Sequence, residues 1–438
     1  MKKVILIGAG GRGKQYTDIM KTSWDNDFKV VAVAEPVDDR REYIKKLHGI
    51  PDEMCFTTWE PLLELEKFAD VAIIATMDRD HFAPAMAAIE KGYDLLLEKP
   101  VAPTPEECRA IQKAAERKGV FVLVCHVLRY TDFFINLKNI IDSGRIGKVV
   151  NIQHVEAVGN IHQSHSFVRG NWGNTEESSM MLLQKSCHDM DILAWLIGKR
   201  CVKAQSFGSL CYFKPENAPD GSPERCLDGC PAAESCPYNA KKLYLEATND
   251  DSRGLWFRRS ATKKIEPDDE DVIEALGNTQ YGKCVYKCSN DVVDHQVVNL
   301  LFEDDVCVSF TMSAFNEGGR ALRIMGTLGE IDAKMDGNSI KIYDFATRAW
   351  SDYRGDEKIA LRDEGITGGH GGGDDGIIYA LKNLLNGIVS KSVCGIVESC
   401  DNHMIAFAAE ESRLTGKVID IGEFCNRYEI QSKKEEEI

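Results

Sequence analysis

No apolar run in the chain approaches the ~18 residues that a membrane-crossing helix needs. Positive charge is also scarce: 53 Lys and Arg stand against 69 Asp and Glu, a formal net charge of −16. That balance repels phosphate backbones and anionic lipid, so neither nucleic acid nor a membrane surface is expected as a partner. A secretory leader is not expected either. The apolar stretch Val4–Ile7 is short and runs straight into Gly8-Ala9-Gly10-Gly11, which has no cleavage-site logic. Internal repeats are absent. The expected setting is the cytoplasm, where the 15 cysteines should mostly be reduced thiols or metal ligands.

What is present is a chain of 438 residues, 43% hydrophobic, too long for one ordinary core. Its first third alternates strand and helix signals. Short apolar runs at 3–7, 30–34, 71–75, 95–97 and 120–124 are separated by helical patterns at 13–21 and 105–118. Phe82, Ala85, Met86 and Ile89 fall on one helical face. Repeated βα units predict a doubly wound parallel sheet, a Rossmann domain over 1–130. From 131 to 430 a helix at 131–143 leads into longer strand-like stretches at 149–155, 293–302, 306–312 and 339–344. These predict an α+β domain with a large, mostly antiparallel sheet. Residues 211–290 read as a cysteine-rich insertion, and 431–438 as a disordered tail.

Gly8, Gly10 and Gly13 form G-x-G-x-x-G between the first strand and the first helix, with Gly11 and Arg12 inside the turn. Such glycines permit a tight turn and close approach of backbone N–H groups to a pyrophosphate. Glu35 ends the second strand, where a carboxylate can bind the ribose hydroxyls and repel a 2′-phosphate. NAD is therefore expected ahead of NADP, although Arg40 and Arg41 lie nearby. Ala75 and Thr76, ending the next strand, should line the same cofactor.

Glu98-Lys99-Pro100 follows a short strand at the sheet's C-terminal edge, where open α/β sheets bind ligands. Alcohol oxidation needs a base for the hydroxyl proton, and burial beside an oxidised nicotinamide would lower the pKa of Lys99 toward that task. Taken alone, a surface lysine beside a turn proline would be the better reading.

The order of motifs makes the reading specific. The glycine turn, His81 in Asp78-Arg79-Asp80-His81, Glu98-Lys99-Pro100, Cys125-His126-Val127-Leu128-Arg129-Tyr130 and Ser143-Gly144-Arg145-Ile146-Gly147 resemble the Gfo/Idh/MocA family of sugar and polyol oxidoreductases. The resemblance implies that Lys99 takes part in proton transfer beside the nicotinamide. It also implies that His188 and Asp191, in Gln184-Lys185-Ser186-Cys187-His188-Asp189-Met190-Asp191, face the cofactor. The usual aspartate of that motif is replaced by Gln184, and Lys185 is an additional candidate base.

Lys99, His188 and Lys185 are thus the catalytic candidates. Gly8, Gly10, Gly11, Arg12, Gly13, Glu35, Ala75, Thr76, His81, Glu98, Lys99 and His126 are the cofactor candidates. For substrate, Arg129, His165, Arg169, Trp172, Asp191 and His370 mix hydrogen-bonding groups with a ring for C–H stacking. Arg129 could equally anchor the domain junction, and His81 could be a packing residue.

Cys226-x3-Cys230-x5-Cys236 gathers three thiols on a proline-punctuated loop, a pattern that suits thiolate metal ligands. Cys288 is the expected fourth ligand, with Cys284 as the alternative. A structural zinc is expected ahead of an iron–sulfur cluster. The function expected is NAD-dependent hydride transfer to or from a carbinol carbon of a sugar, polyol or glycoside. Two alternatives are an NAD-dependent glycosidase that works by transient oxidation and elimination, and a non-catalytic NAD-binding sensor. A homodimer or homotetramer is expected.

Overall fold

The computed structural model describes residues 1–246, 252–353 and 370–435. Six strands, β1 (Lys2–Ile7), β2 (Phe28–Ala34), β3 (Cys55–Phe56), β4 (Val71–Ile74), β5 (Asp94–Leu97) and β6 (Val122–Val124), form one sheet in the order β3-β2-β1-β4-β5-β6. Every pairing in it is parallel. The strands are nearly unbroken apolar runs because helices cover both faces. The order reverses at β1, which puts the crevice for a ligand at the C-terminal ends of β1 and β4.

A second sheet of nine strands follows. Its members are β7 (Val149–Ala157), β8 (Cys201–Ser209), β9 (His295–Phe302), β10 (Cys307–Ser313), β11 (Gly319–Gly326), β12 (Gly329–Lys334), β13 (Ser339–Asp344), β14 (Ala349–Asp352) and β15 (Ile419–Asp420). They lie in the order β14-β13-β12-β11-β7-β10-β9-β8-β15, and only β7 with β10 runs parallel. Alternating burial along β9 and β10 shows one face packed and one open. The open face exposes Phe207, Val297 and Val155.

The two parts interlock. The helix Gly373–Leu385 returns from the C-terminal half and packs Ile377, Ile378 and Leu381 into the cluster that holds Val4, Leu6 and Tyr16. The backbone at Cys394 and Gly395 extends the sheet beyond β6. The last helix runs from Ile421 to Glu435, so chain expected as a disordered tail is helical up to that point, and 436–438 lie outside the described residues.

The insertion has its own small cores. One gathers Tyr244, Phe257, Val272, Leu276 and Tyr281; the other gathers Val168, Phe213, Tyr238 and Tyr286. No helix among the described residues is long and apolar enough to cross a membrane.

Candidate active site

The glycine turn is built for close approach. Gly8 sits at φ +90°, and a Cβ there would stand 2.6 Å from the Ala75 carbonyl oxygen. A Cβ on Gly13 would stand 2.0 Å from the Gly8 carbonyl oxygen, so helix and strand meet only because it has none. Open space lies over Gly11. The helix Gly11–Ser23 has no side-chain cap and no acidic residue in its first turn. Its positive end is therefore not neutralised locally, and the residues fit a dinucleotide pyrophosphate.

Glu35 is buried at the end of β2. Its Oε2 accepts from the Ala9 N–H at 2.6 Å and its Oε1 from the Val37 N–H at 3.0 Å, which fixes a carboxylate beside the turn. Of the two nearby arginines, Arg41 donates to the Glu35 carbonyl and pairs with Asp38, while Arg40 reaches Lys263 of the insertion at 3.1 Å.

Arg12 is a bridge. Its Nε donates to Glu98 at 2.9 Å and its Nη2 to Asp374 at 2.6 Å and to the Tyr16 hydroxyl at 2.6 Å. Glu98 also accepts from Tyr16 and from the Lys99 N–H. Burial works to raise the Glu98 carboxyl, but Arg12 and Lys99 outweigh it and hold the group below its ordinary range. Thr76 is tied to the Asp80 carbonyl. His81 is buried between the carbonyls of Pro100, at 2.7 Å, and Thr76, at 3.2 Å. The structure thus assigns Arg12, Glu98 and His81 to bracing the Lys99 loop.

Lys99 precedes a cis proline and crosses the domain junction, where its Nζ donates to the Gln184 carbonyl at 2.8 Å. His188 lies in the first turn of the helix Cys187–Ile197. Its ring meets that of His126 edge-on at 5.8 Å, and His126 meets His403 at 5.7 Å. Burial pushes His126 down to about 4 and His403 to about 3, so both are neutral. His126 bonds the Ser399 hydroxyl at 2.8 Å, and His403 accepts from the Val101 N–H at 3.0 Å.

Lys185 turns the other way. Its Nζ lies 3.2 Å from Glu156, which also pairs with Arg320. Burial pushes the Lys185 ammonium down, and Glu156 opposes it. Arg320 and His154 both engage Asp189, whose carboxyl is held well below its ordinary range despite its burial.

The residues expected at the substrate fall in several places. Arg129 and Asp191 are fully buried and bidentate to each other at 2.7 Å, with Asn402 and Glu398 completing the group. They lock the junction from behind His126. His165 lies inside an aromatic box, stacked 4.0 Å from Phe257 and hydrogen-bonded to Tyr244. Arg169 is buried and donates to the carbonyls of Lys283 and Tyr238. Trp172 remains half-exposed and donates to Asp78 at 3.3 Å. His370 opens a short turn, but its side chain, like Gly368 and Gly369, lies outside the described residues.

All 15 cysteines are free. Cys226, Cys230, Cys236 and Cys284 line one small pocket; Cys288 does not, and its sulfur turns to the Cys284 carbonyl. Cys284, the alternative to Cys288, is the one that lines this pocket. Among the described residues no three of these sulfurs lie within 4.8 Å of one another. Four sulfurs on a single zinc would stand about 3.8 Å apart, so the zinc expectation is not supported.

Comparison with known proteins agrees with this geometry. The sequence family described as oxidoreductases with an NAD-binding Rossmann fold matches residues 2–126, and its C-terminal alpha/beta domain matches 138–376. The chain belongs to the Gfo/Idh/MocA oxidoreductase family. It is 23% identical to YteT of Bacillus subtilis across 85% of this chain and 87% of that protein. It is 29% identical to inositol 2-dehydrogenase 2 of Saccharopolyspora erythraea, across 31% of this chain and 37% of that enzyme. Among solved structures, levoglucosan dehydrogenase in complex with NADH and levoglucosan superposes with a TM-score of 0.68 at 17% identity, covering 96% of this chain and 99% of that one. An Agrobacterium radiobacter oxidoreductase in complex with NAD+, L-tartaric acid and magnesium gives 0.64 at 13% identity, with 96% and 99% covered. These likenesses establish the fold.

Proposed function

We propose that this member of the family oxidises or reduces a carbinol carbon of a sugar, polyol or glycoside, with NAD preferred over NADP. The observation that carries the reading is the meeting of Lys99 with Gln184 and the His188 helix at the crevice of the parallel sheet. A bound nicotinamide supplies the hydride acceptor or donor. Glu35 and the uncapped first turn would hold the adenosine ribose and the pyrophosphate. The Gln184 carbonyl accepts from Lys99 and so aims its nitrogen. Lys99 then holds or releases the proton of the substrate hydroxyl, and His188 hydrogen-bonds the same oxygen. Neutral His126 and the Arg129–Asp191 pair keep the His188 helix in register. Trp172 offers a ring for sugar C–H groups. Dehydrogenases of inositol and levoglucosan among the similar proteins support this substrate class.

One observation favours a second reading. Lys185, one residue beyond the Gln184 that meets Lys99, pairs with Glu156, and burial pushes its ammonium down, so a second ionisable amine stands next in the chain to that contact. An NAD-dependent glycosidase needs such a group to remove the proton next to the oxidised carbon. The open face of the nine-stranded sheet suits assembly into a homodimer or homotetramer.

The test is an assay of the purified protein with NAD, against free sugars, inositols and aryl glycosides. Accumulating NADH supports the dehydrogenase, and aglycone release without NADH supports the glycosidase. Neither product would leave an NAD-binding sensor. Lys99→Ala is expected to lower kcat by about 10²–10⁴-fold while NAD still binds; unchanged turnover would remove Lys99 from its role.

A further inference from the structure

We propose that Cys226, Cys230, Cys236 and Cys284 ligate a [4Fe–4S] cluster that staples the insertion over the cofactor crevice. Three of the sulfurs come from one loop and the fourth from a segment beyond the helix Asp269–Asn278. All four converge on a single pocket. Two backbone hydrogen bonds, Cys226 N–H to the Gly282 carbonyl and Cys284 N–H to the Glu224 carbonyl, bind the two segments side by side.

Spacing argues for a cluster over a single ion. No trio of the described sulfurs closes to within 4.8 Å, whereas a lone tetrahedral zinc draws its thiolates to about 3.8 Å from one another. In a cubane each sulfur binds its own iron, so the ligands stand farther apart.

Charge argues in the same direction. Arg169 is 1% exposed and lines the same pocket. It donates to the Cys226 sulfur at 3.4 Å and to two carbonyls, with the Tyr244 hydroxyl beside it, all of them uncharged oxygens or sulfur. No carboxylate pairs with it among the described residues. A buried guanidinium needs an anion, and its carbonyl partners supply none. Four cluster-bound thiolates do. Each cysteine gives up its proton as it binds iron, and the assembled site carries a net charge of about −2.

A staple is also what this segment needs. Its two apolar clusters are small, and segments with so little core depend on a metal or disulfide for order. The ordered insertion then reaches the Rossmann domain. Ile265 N–H donates to Asp39 at 2.7 Å, and Arg40 joins Lys263 while its guanidinium stands 3.7 Å from the point where a Gly10 side chain would begin.

The experiment is anaerobic purification from iron-replete cells, with metal and sulfide analysis. Brown protein with about four irons and four acid-labile sulfides per chain is expected. Dithionite should bleach the visible absorption and produce a paramagnetic signal. Cys236→Ala should lose most of the iron, and Cys288→Ala should keep it. One zinc per chain without iron would overturn the proposal, as would metal-free protein with all four thiols titratable. Iron lost from Cys288→Ala but kept in Cys284→Ala would overturn the ligand set.

Discussion

Two buried arginines, Arg129 at the domain junction and Arg169 in the insertion, are each 1% exposed, yet they live under opposite conditions. Arg129 is clasped by Asp191 and Glu398, and its charge is cancelled within the protein. Arg169 has carbonyls and a sulfur. On the cluster proposed above, one cation is matched by the chain itself and the other by a bound anion, so partners rather than burial tell the two apart.

The comparison can be broken most severely at the junction. Arg129→Met leaves Asp191 buried without its cation and is expected to cost about 3–5 kcal/mol, measured by urea unfolding. An unchanged midpoint would mean that Asn402 and the Cys394 thiol suffice for Asp191.

Acid should act next. His126 titrates in the folded protein near 4 and His403 near 3, against about 6.5 in an unfolded chain. Between those limits the unfolded chain takes up protons that the folded one refuses, so stability falls as pH falls. Each such histidine should cost up to about 1.4 kcal/mol per pH unit over that window. A melting temperature that stays flat from pH 6.5 to pH 4 (about those limits) would show that the junction opens to admit protons.

In the insertion, Arg169→Gln removes a cation and its hydrogen bond to Cys226. The reduction potential of the proposed cluster is expected to fall, since positive charge near the sulfurs favours the reduced, more negative state. A potential equal to that of the unsubstituted protein would make Arg169 a packing residue. The smallest effect is expected for Arg40→Ala, which frees Lys263 from the Rossmann domain. Its KM for NAD should rise only a few-fold, because one exposed hydrogen bond is worth about 0.5–1.5 kcal/mol.

Where a motif is short and contiguous, its place in the fold was readable from the sequence. The glycine turn, Lys99 and His188 stand in local patterns whose spacing is set by one strand, one turn or one helix start. His165 and Arg169 were polar residues near those motifs, Asp191 was placed by the resemblance, and Arg129 was open between substrate and the domain junction. Their partners, Glu398, Tyr244 and Tyr238, are distant in sequence and carry no local signal. The same holds for Asp374 reaching Arg12, and for His403 accepting from Val101. For the fourth cysteine, Cys284 and Cys288 have nearly equal spacing. Only the fold shows which of the two lines a pocket with Cys226.

The helix Gly373–Leu385 gives the molecule an order of assembly. Until its Ile377, Ile378 and Leu381 emerge from the ribosome, the first helix and the central strands lack part of their apolar cover. The half that carries the glycine turn is made first, but its core is closed only once the helix Gly373–Leu385 has been translated.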